Sequence, residues 1–253
     1  MSDDLKLAIQ AVKQAGKIIK EAYGGVVEVK RKGFNDSVTE IDVKAERIIV
    51  KLLKRTGYSI FGEESGKSDS GSRKKWIIDP IDGTSNFIRG IPFFAVSVAL
   101  IENDRQLVLG VVYDPISDEC YWAERNKDAY LNGKKIHASS KADFDGSVIL
   151  IEHGRAEESK IACLSVMGKL MLDDGPLILR QGSTALMLCY VAKGSCEAFL
   201  SSGDELYDYA GGLIIAKEAG VIISDWKGKP WDNSSSYILA ASPILQKKIL
   251  KRL

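Results

Sequence analysis

Histidine is nearly absent from this chain: His137 and His153 are the only two in 253 residues. A Ser/His/Asp triad or a histidine-based metal site is hard to build from so few. The four cysteines, Cys120, Cys163, Cys189 and Cys196, show no CxxC spacing, and Cys189 and Cys196 sit in apolar surroundings. They read as buried reduced thiols rather than zinc ligands or disulfides. An excess of one charge is also missing, with 35 Lys and Arg against 34 Asp and Glu and a formal net charge of +1. That balance leaves no basic footprint for nucleic acid. No apolar run is long enough to span a membrane, and the opening "MSDDLKLAIQ" is acidic where a secretory signal is basic. The expectation is a cytoplasmic protein with neither nucleic-acid nor membrane partners. If it is an enzyme, its chemistry must come from carboxylates and hydroxyls.

What is present is a soluble, globular composition, 45% hydrophobic and 27% charged, on a length that suits one large domain or two modest ones. Leu5, Ala8, Ile9, Val12, Ile19 and Ala22 recur at helical spacing and predict an amphipathic first helix that Gly24-Gly25 ends. "VVEVKRKG" reads as an exposed strand and "DSVTEIDVKAERIIVKLLKRTG" as a second helix, with Ile48, Ile49, Leu52 and Leu53 inward and Gly57 past its end. "YSIFGEES" and "KWIID" are short apolar strands that stop at acids, separated by the polar loop "GKSDSGSRKK". "FFAVSVALIEN", "LVLGVVYDP" and "ECYWAE" predict an antiparallel meander, and "AYLNGKKI" carries an Asn-Gly hairpin turn. From about residue 140 strands and helices alternate, which predicts an α/β second half. The expected organisation is two intimately packed halves: 1–140 is α+β and carries most of the acids, and 141–253 is α/β and carries Asp208.

Those acids share one kind of location. Glu63 and Glu64 follow "YSIF", Asp79 and Asp82 follow "WII", Asp42 lies in "VTEIDVKAE", and Asp208 precedes "YAGGLIIAKEAG". Each alone is explained as readily by helix capping or turn formation, since helix N-termini favour carboxylates. "DPIDGT" is different, because Pro80 fixes the backbone between two carboxylates and Gly83 frees the next turn. A turn so constrained aims both carboxylates at one point, where a divalent cation is the usual compensation. Gly83-Thr84-Ser85 then opens a short predicted helix through "NFIRG", whose free N–H groups suit a phosphate. Acids for a hard cation beside donors for an anion are the parts needed for metal-assisted phosphoryl transfer to water, with Mg²⁺ the natural ion and Mn²⁺ a substitute.

"GEES", "WIIDPIDGTSNF" and "LYDYAGGLIIAKEAG", together with "DSVTEID", "GIPFFAVSVAL", "GVVYDP", "AYLNGKKI" and "YILAAS", resemble the inositol monophosphatase family along essentially the whole chain. That family belongs to the Mg²⁺-dependent, Li⁺-sensitive phosphatases, which include fructose-1,6-bisphosphatases and compact archaeal enzymes with both activities. The resemblance implies a layered αβαβα sandwich and a homodimer. It implies that Glu63, Asp79 and the carbonyl of Ile81 hold a first Mg²⁺, and that Asp79, Asp82 and Asp208 hold a second. A third, weaker ion belongs near Glu63. Asp42 and Thr84 would orient and deprotonate the attacking water, while the N–H groups of Gly83, Thr84 and Ser85 grip the phosphate. Loop 65–75 resembles the family's mobile catalytic loop and reads equally well as an ordinary surface loop.

Substrate-facing positions depart from the pattern. Inositol-selective relatives generally carry a glutamate a few residues before the last metal aspartate, and a gapless match from "QGST" to "LYD" puts Ser201 there. Tyr207 stands where many relatives have tryptophan. Gly182, Ser183 and Thr184 resemble the family's substrate-facing turn, or cap the helix "STALMLCYVAKG". The short chain lacks both a long N-terminal regulatory extension and insertions for a nucleotide base. It therefore fits the compact group acting on inositol 1-phosphate and fructose 1,6-bisphosphate better than phosphatases of 3′-phosphoadenosine 5′-phosphate or NADP. Arg155, Lys169, Arg180 and Lys193 are candidates for reading a second phosphate.

Overall fold

In the computed structural model, which describes residues 1–33, 36–172, 175–232 and 235–253, helix α1 (Asp3–Ala22) is capped by the Ser2 side chain and buries Leu5, Ala8, Val12 and Ile19. A hairpin of β1 (Val29–Gly33) and β2 (Asp36–Thr39) leads into α2 (Glu40–Leu53). The second helix therefore starts four residues later than its sequence suggests, because 36–39 pairs with β1. Thr39 then caps the helix, its side chain accepting from the N–H groups of Ile41 and Asp42. Ile48 is only half-buried; the inward stripe is Ile41, Ala45, Ile49, Leu52 and Leu53.

β3 (Ser59–Gly62), β4 (Gly66–Ser68), β5 (Lys74–Asp82), the short helix α3 (Thr84–Ile88), β6 (Ala95–Glu102), β7 (Gln106–Asp114), β8 (Glu119–Glu124), β9 (Ala129–Leu131) and β10 (Lys134–Ile136) follow. They form an eight-stranded sheet in the order β10-β9-β8-β7-β6-β5-β3-β4. The expected meander is β6–β8; antiparallel pairing extends it from β5 to β10, and β3 joins it parallel to β5. Asn132 and Gly133 both have positive φ, the signature of the tight hairpin turn their sequence implies. Part of the polar loop is structured, since Gly66–Ser68 pairs with β3.

The remainder is β11 (Val148–His153), α4 (Glu157–Met171), β12 (Leu177–Leu179), α5 (Thr184–Ala192), β13 (Ala198–Ser202), α6 (Leu206–Glu218), β14 (Ile222–Ser224), β15 (Tyr237–Ala241) and α7 (Pro243–Leu250). Its five strands form a mixed sheet in the order β12-β11-β13-β15-β14. Helices α1 and α2 cover one face of the large sheet through Leu5, Ile49, Trp76 and Val98. Helices α5 and α6 lie between the two sheets with Leu186, Leu188, Leu213 and Ile215 buried. Helices α4 and α7 cover the far face of the small sheet. The result is a layered α+β sandwich in the order αβαβα.

Close approach of α6 to the large sheet depends on missing side chains. A Cβ on Gly110 of β7 would lie 2.5 Å from the Gly211 carbonyl oxygen, and one on Gly212 would lie 2.7 Å from Leu188 Cβ in α5. Gly110→Ala is therefore expected to destabilise the fold by about 1–3 kcal/mol, because the clash is with backbone that cannot yield. Thermal or urea unfolding tests this. A variant as stable as wild type would show that α6 can shift away from the sheet without cost.

Candidate active site

A bulge in β5 explains how two acids three residues apart face one place. In a regular strand such residues point to opposite faces. Here Asp79 pairs with Ser97 and Asp82 with Ala95, so three steps on β5 match two on β6. The extra residue turns the chain, and Pro80, which has no N–H to give a ladder, is tolerated there. Every residue from Trp76 to Asp82 is buried. Gly83 follows with φ +95°, and a Cβ on it would lie 3.1 Å from the carbonyl oxygens of both Gly182 and Phe93. The chain end of β5 is thereby pressed against the start of α5.

Carboxylate oxygens of Asp79, Asp82 and Asp208 all lie within 4.8 Å of one another. Asp208 arrives from the first turn of α6, where its Oδ2 accepts from the Glu205 N–H at 2.7 Å. Asp82 is held by the start of α5: it accepts from Ser183 Oγ, from Ala185 N at 2.7 Å and from Thr184 N at 3.2 Å. Asp79 Oδ1 is buried without any hydrogen-bond partner.

Burial pushes the Asp82 carboxyl up to about 7 despite those three donors. Burial, then the charges of Glu63, Asp82, Asp208 and Asp42, hold Asp79 well above the usual carboxylate range. Asp208 is raised likewise by burial, Asp204 and Asp82. An orphaned buried carboxylate oxygen amid mutually repelling acids fits a divalent cation with oxygen ligands.

Glu63 and Glu64 lie in the turn after β3, whose first N–H is fixed at 3.1 Å to the Ile78 carbonyl. Burial pushes Glu63 up to about 7 against the pull of Lys32, which lies 3.3 Å from it and 2.5 Å from Glu64. The lysine is the cation these two acids have in this structure. Burial disfavours its charge, but Glu63 and Glu64 outweigh that and keep its pKa raised.

Beside the cluster stands a second pair. Thr84 Oγ1 lies 3.1 Å from Asp42 Oδ1 and 3.0 Å from the Ile81 carbonyl oxygen. Asp42 Oδ2 accepts from Thr39 N at 2.8 Å and Thr39 Oγ1 at 2.5 Å. Asp42 is fully buried, and burial raises its pKa against these donors. Asp42 and Asp208 are thus both helix caps and members of the site, because a carboxylate has two oxygens and a cap need engage only one. Three helices, α2, α5 and α6, direct their N-termini at this region, and the sum of their dipoles favours negative charge there.

Among the substrate-facing candidates, Ser183, Thr184 and Ser201 are buried and turned inward. Ser183 serves Asp82, whereas Ser201 Oγ donates to Asp204 Oδ2 and Thr184 Oγ1 lies 3.5 Å from the same oxygen. Gly182, with φ +77°, sits against the Asn86 side chain, which donates at 2.7 Å to the carbonyls of both Gln181 and Phe93. Ser85 lies in the first turn of α3. Half-buried Tyr207 meets the Phe61 ring edge-on at 5.8 Å. The basic candidates are engaged: Arg180 with Glu152 at 2.5 Å, Lys193 with Glu119 at 3.1 Å, and Lys169 with the Leu253 carbonyl. Arg155 also has a partner.

Sequence reasoning missed Lys32, Asn86 and Glu46. Glu46 had a legible signal, a charge on the inward stripe of α2 one turn after Asp42. Asp204, an acid offset from the Ser201 position, is raised to about 7 chiefly by burial.

Buried carboxylates suited to divalent cations, beside a hydroxyl–carboxylate pair and the opening turn of a helix, define a metal-dependent phosphatase built on a layered sandwich. The model of the inositol monophosphatase family matches residues 1–253. The Nus factor SuhB of Escherichia coli is 35% identical over 252 residues, covering 97% of this chain and 94% of that protein. The inositol-1-monophosphatase of Mesorhizobium japonicum is 35% identical over 255 residues, covering 98% and 94%. The crystal structure of the extragenic suppressor protein suhB from Bartonella henselae superposes with a TM-score of 0.92 at 32% identity, covering 99% and 98%. The MJ0109 gene product, described as an inositol monophosphatase-fructose 1,6 bisphosphatase, gives 0.85 at 29% identity over the whole of both chains. This chain belongs to the inositol monophosphatase family.

Proposed function

We propose that the protein hydrolyses the phosphomonoester of small polyols and sugars, inositol 1-phosphate first and fructose 1,6-bisphosphate as a second substrate, by in-line attack of water. The observation that carries this reading is the convergence of Asp79, Asp82 and Asp208, with one oxygen orphaned, next to the Asp42–Thr84 pair. Glu63, Asp79 and the Ile81 carbonyl would hold one Mg²⁺, and Asp79, Asp82 and Asp208 a second. A third would sit near Glu63, and Mn²⁺ would substitute. Bound there, such ions acidify water and neutralise charge on the phosphoryl and leaving oxygens.

The chain's own groups do the rest. Thr84 has one hydroxyl proton; given to Asp42, it leaves the oxygen lone pairs to accept from water and fix its orientation. Asp42, buried and held by Thr39, takes up the water's proton through that hydroxyl as the oxygen attacks phosphorus. N–H groups of Gly83, Thr84 and Ser85, at the opening of α3 where no intrahelical acceptor exists, hold the phosphate. Ser183, Thr184 and Ser201 serve the substrate by orienting the Asp82 and Asp204 carboxylates, and Gly182 lets the loops bearing them meet. The two halves of the chain, 1–140 and 141–253, share this site.

The dual substrate range is supported by the name of the MJ0109 product; phosphatase action on 3′-phosphoadenosine 5′-phosphate or NADP by the same chemistry is the alternative. A homodimer in the cytoplasm is the state we propose. Exposed Ile161, Leu164, Met171, Leu172 and Leu177, on or just beyond α4 and the edge strand β12, support association. Among the described residues no helix is long and apolar enough to cross a membrane. The name Nus factor carried by several relatives supports a second reading, an interaction role beside catalysis.

Phosphate release from a panel of phosphomonoesters, with and without Mg²⁺ and with added Li⁺, tests the proposal. Release from inositol 1-phosphate that requires Mg²⁺ and falls with Li⁺ is expected. No Mg²⁺-dependent release from any ester would overturn the enzyme reading, and a sharp preference for 3′-phosphonucleotides would overturn the substrate alone.

A further inference from the structure

Glu46 lies one helical turn after Asp42 on the inward face of α2 and is 2% exposed. Its carboxylate reaches across to the turn that carries Glu63. Oε2 accepts from the Glu64 N–H at 2.9 Å and Oε1 from the Ser65 N–H at 2.8 Å. Gly62, the last residue of β3, leaves room for it: a Cβ there would lie 2.7 Å from the carboxyl carbon and from both oxygens. With Glu63 N bonded to the Ile78 carbonyl, all three N–H groups of the 63–65 turn are fixed, two of them by one side chain. The Ile78 carbonyl belongs to the residue before Asp79, so the turn is tied at one end to the Asp79 strand and at the other to the Asp42 helix.

We propose that Glu46 is a positioning residue whose carboxylate holds the 63–65 turn so that Glu63 can share a divalent cation with Asp79. This rests on the reading of the acidic cluster as a metal site. Only a carboxylate of this length serves. It is acceptor-only, so each oxygen can take one N–H, whereas a glutamine sets an amide donor against one of the two donors of the turn. Aspartate is a methylene too short.

The test uses Glu46→Gln in the full chain, with Gly62→Ala as a second variant that pushes the carboxylate away from the opposite side. Calorimetric titration with Mg²⁺ alone and with Mn²⁺ alone is compared with the Mg²⁺ dependence of phosphate release. Both variants are expected to bind the ions at least roughly tenfold more weakly, as for other outer partners of metal ligands. For Glu46→Gln, KM for the ester and kcat at saturating Mg²⁺ should stay near wild type. Unchanged ion affinity in Glu46→Gln, or a loss of kcat that no Mg²⁺ concentration restores, would overturn the proposal. Wild-type protein that binds neither ion would instead overturn the metal-site reading on which it rests.

Discussion

Asp82→Asn is expected to lower turnover on the order of 10³-fold while leaving the metal-free protein about as heat-stable as wild type. A cation that stabilises transition-state charge contributes several kcal/mol, and each 1.36 kcal/mol is tenfold in rate. Asparagine keeps the size of the side chain and one acceptor for Ser183 and Ala185 but removes the charge offered to a cation. Its amide nitrogen would face one backbone N–H, costing about 1 kcal/mol. Against that, a buried charge repelled by Asp204 is removed, which favours the folded state without metal. Steady-state rates at saturating Mg²⁺, with melting curves in chelator and in Mg²⁺, separate the two effects. Wild-type turnover would contradict the assignment of Asp82 to a metal. A collapse of stability in chelator would mean that its bonds to the start of α5 are structural first.

In chelator, the wild-type protein should lose stability as pH rises from about 4 through about 7. Glu63 and Asp82, ordinarily at 4.5 and 3.8, are both raised to about 7 in the fold. Between those values the folded chain keeps protons that the unfolded chain has released, so the slope of stability with pH is negative. The stabilisation is fully present below the unfolded values and is lost as pH passes the folded ones. Asp79 and Asp208 are raised in the same direction. Mg²⁺ should reverse this, because it binds the deprotonated cluster and not the unfolded chain. The gain in melting temperature on adding Mg²⁺ should therefore grow from pH 5 to pH 8. A gain equal at every pH would show that the acids are not the groups that bind the ion.

Much of the acidic cluster was legible along the chain because its members sit in local motifs. "WIIDPIDGTSNF" marks a buried strand, a constrained turn bearing two acids and a helix opening within twelve residues, and periodicity alone gives α1 and the β6–β8 meander. Where reading by segment failed, a partner distant in sequence decided the outcome. Residues 36–39 resemble helix until β1 pairs with them. Loop 65–75 reads as a polar loop throughout until β3 offers an edge to Gly66–Ser68. Ser183 and Thr184 read as a substrate-facing turn or a helix cap and Ser201 as substrate-facing; their hydroxyls face the buried Asp82 and the half-buried Asp204, a choice made by how α5 packs against β5 and the β13–α6 loop.

Residue chemistry by itself determined the class of reaction: too little histidine for other machinery, carboxylates paired around Pro80, and a helix-opening Gly-Thr-Ser behind them. Only tertiary structure decided which acids act together. Capping and membership of the acidic site look like competing explanations for Asp42 and Asp208 in one dimension. In three dimensions both hold, because one oxygen can cap a helix while the carboxylate still faces the cluster. Glu46 shows the same limit from the other side. Its spacing from Asp42 puts it on the buried face, but its task depends on the 63–65 turn lying across from α2, a contact between residues eighteen and nineteen positions apart that helical spacing cannot encode.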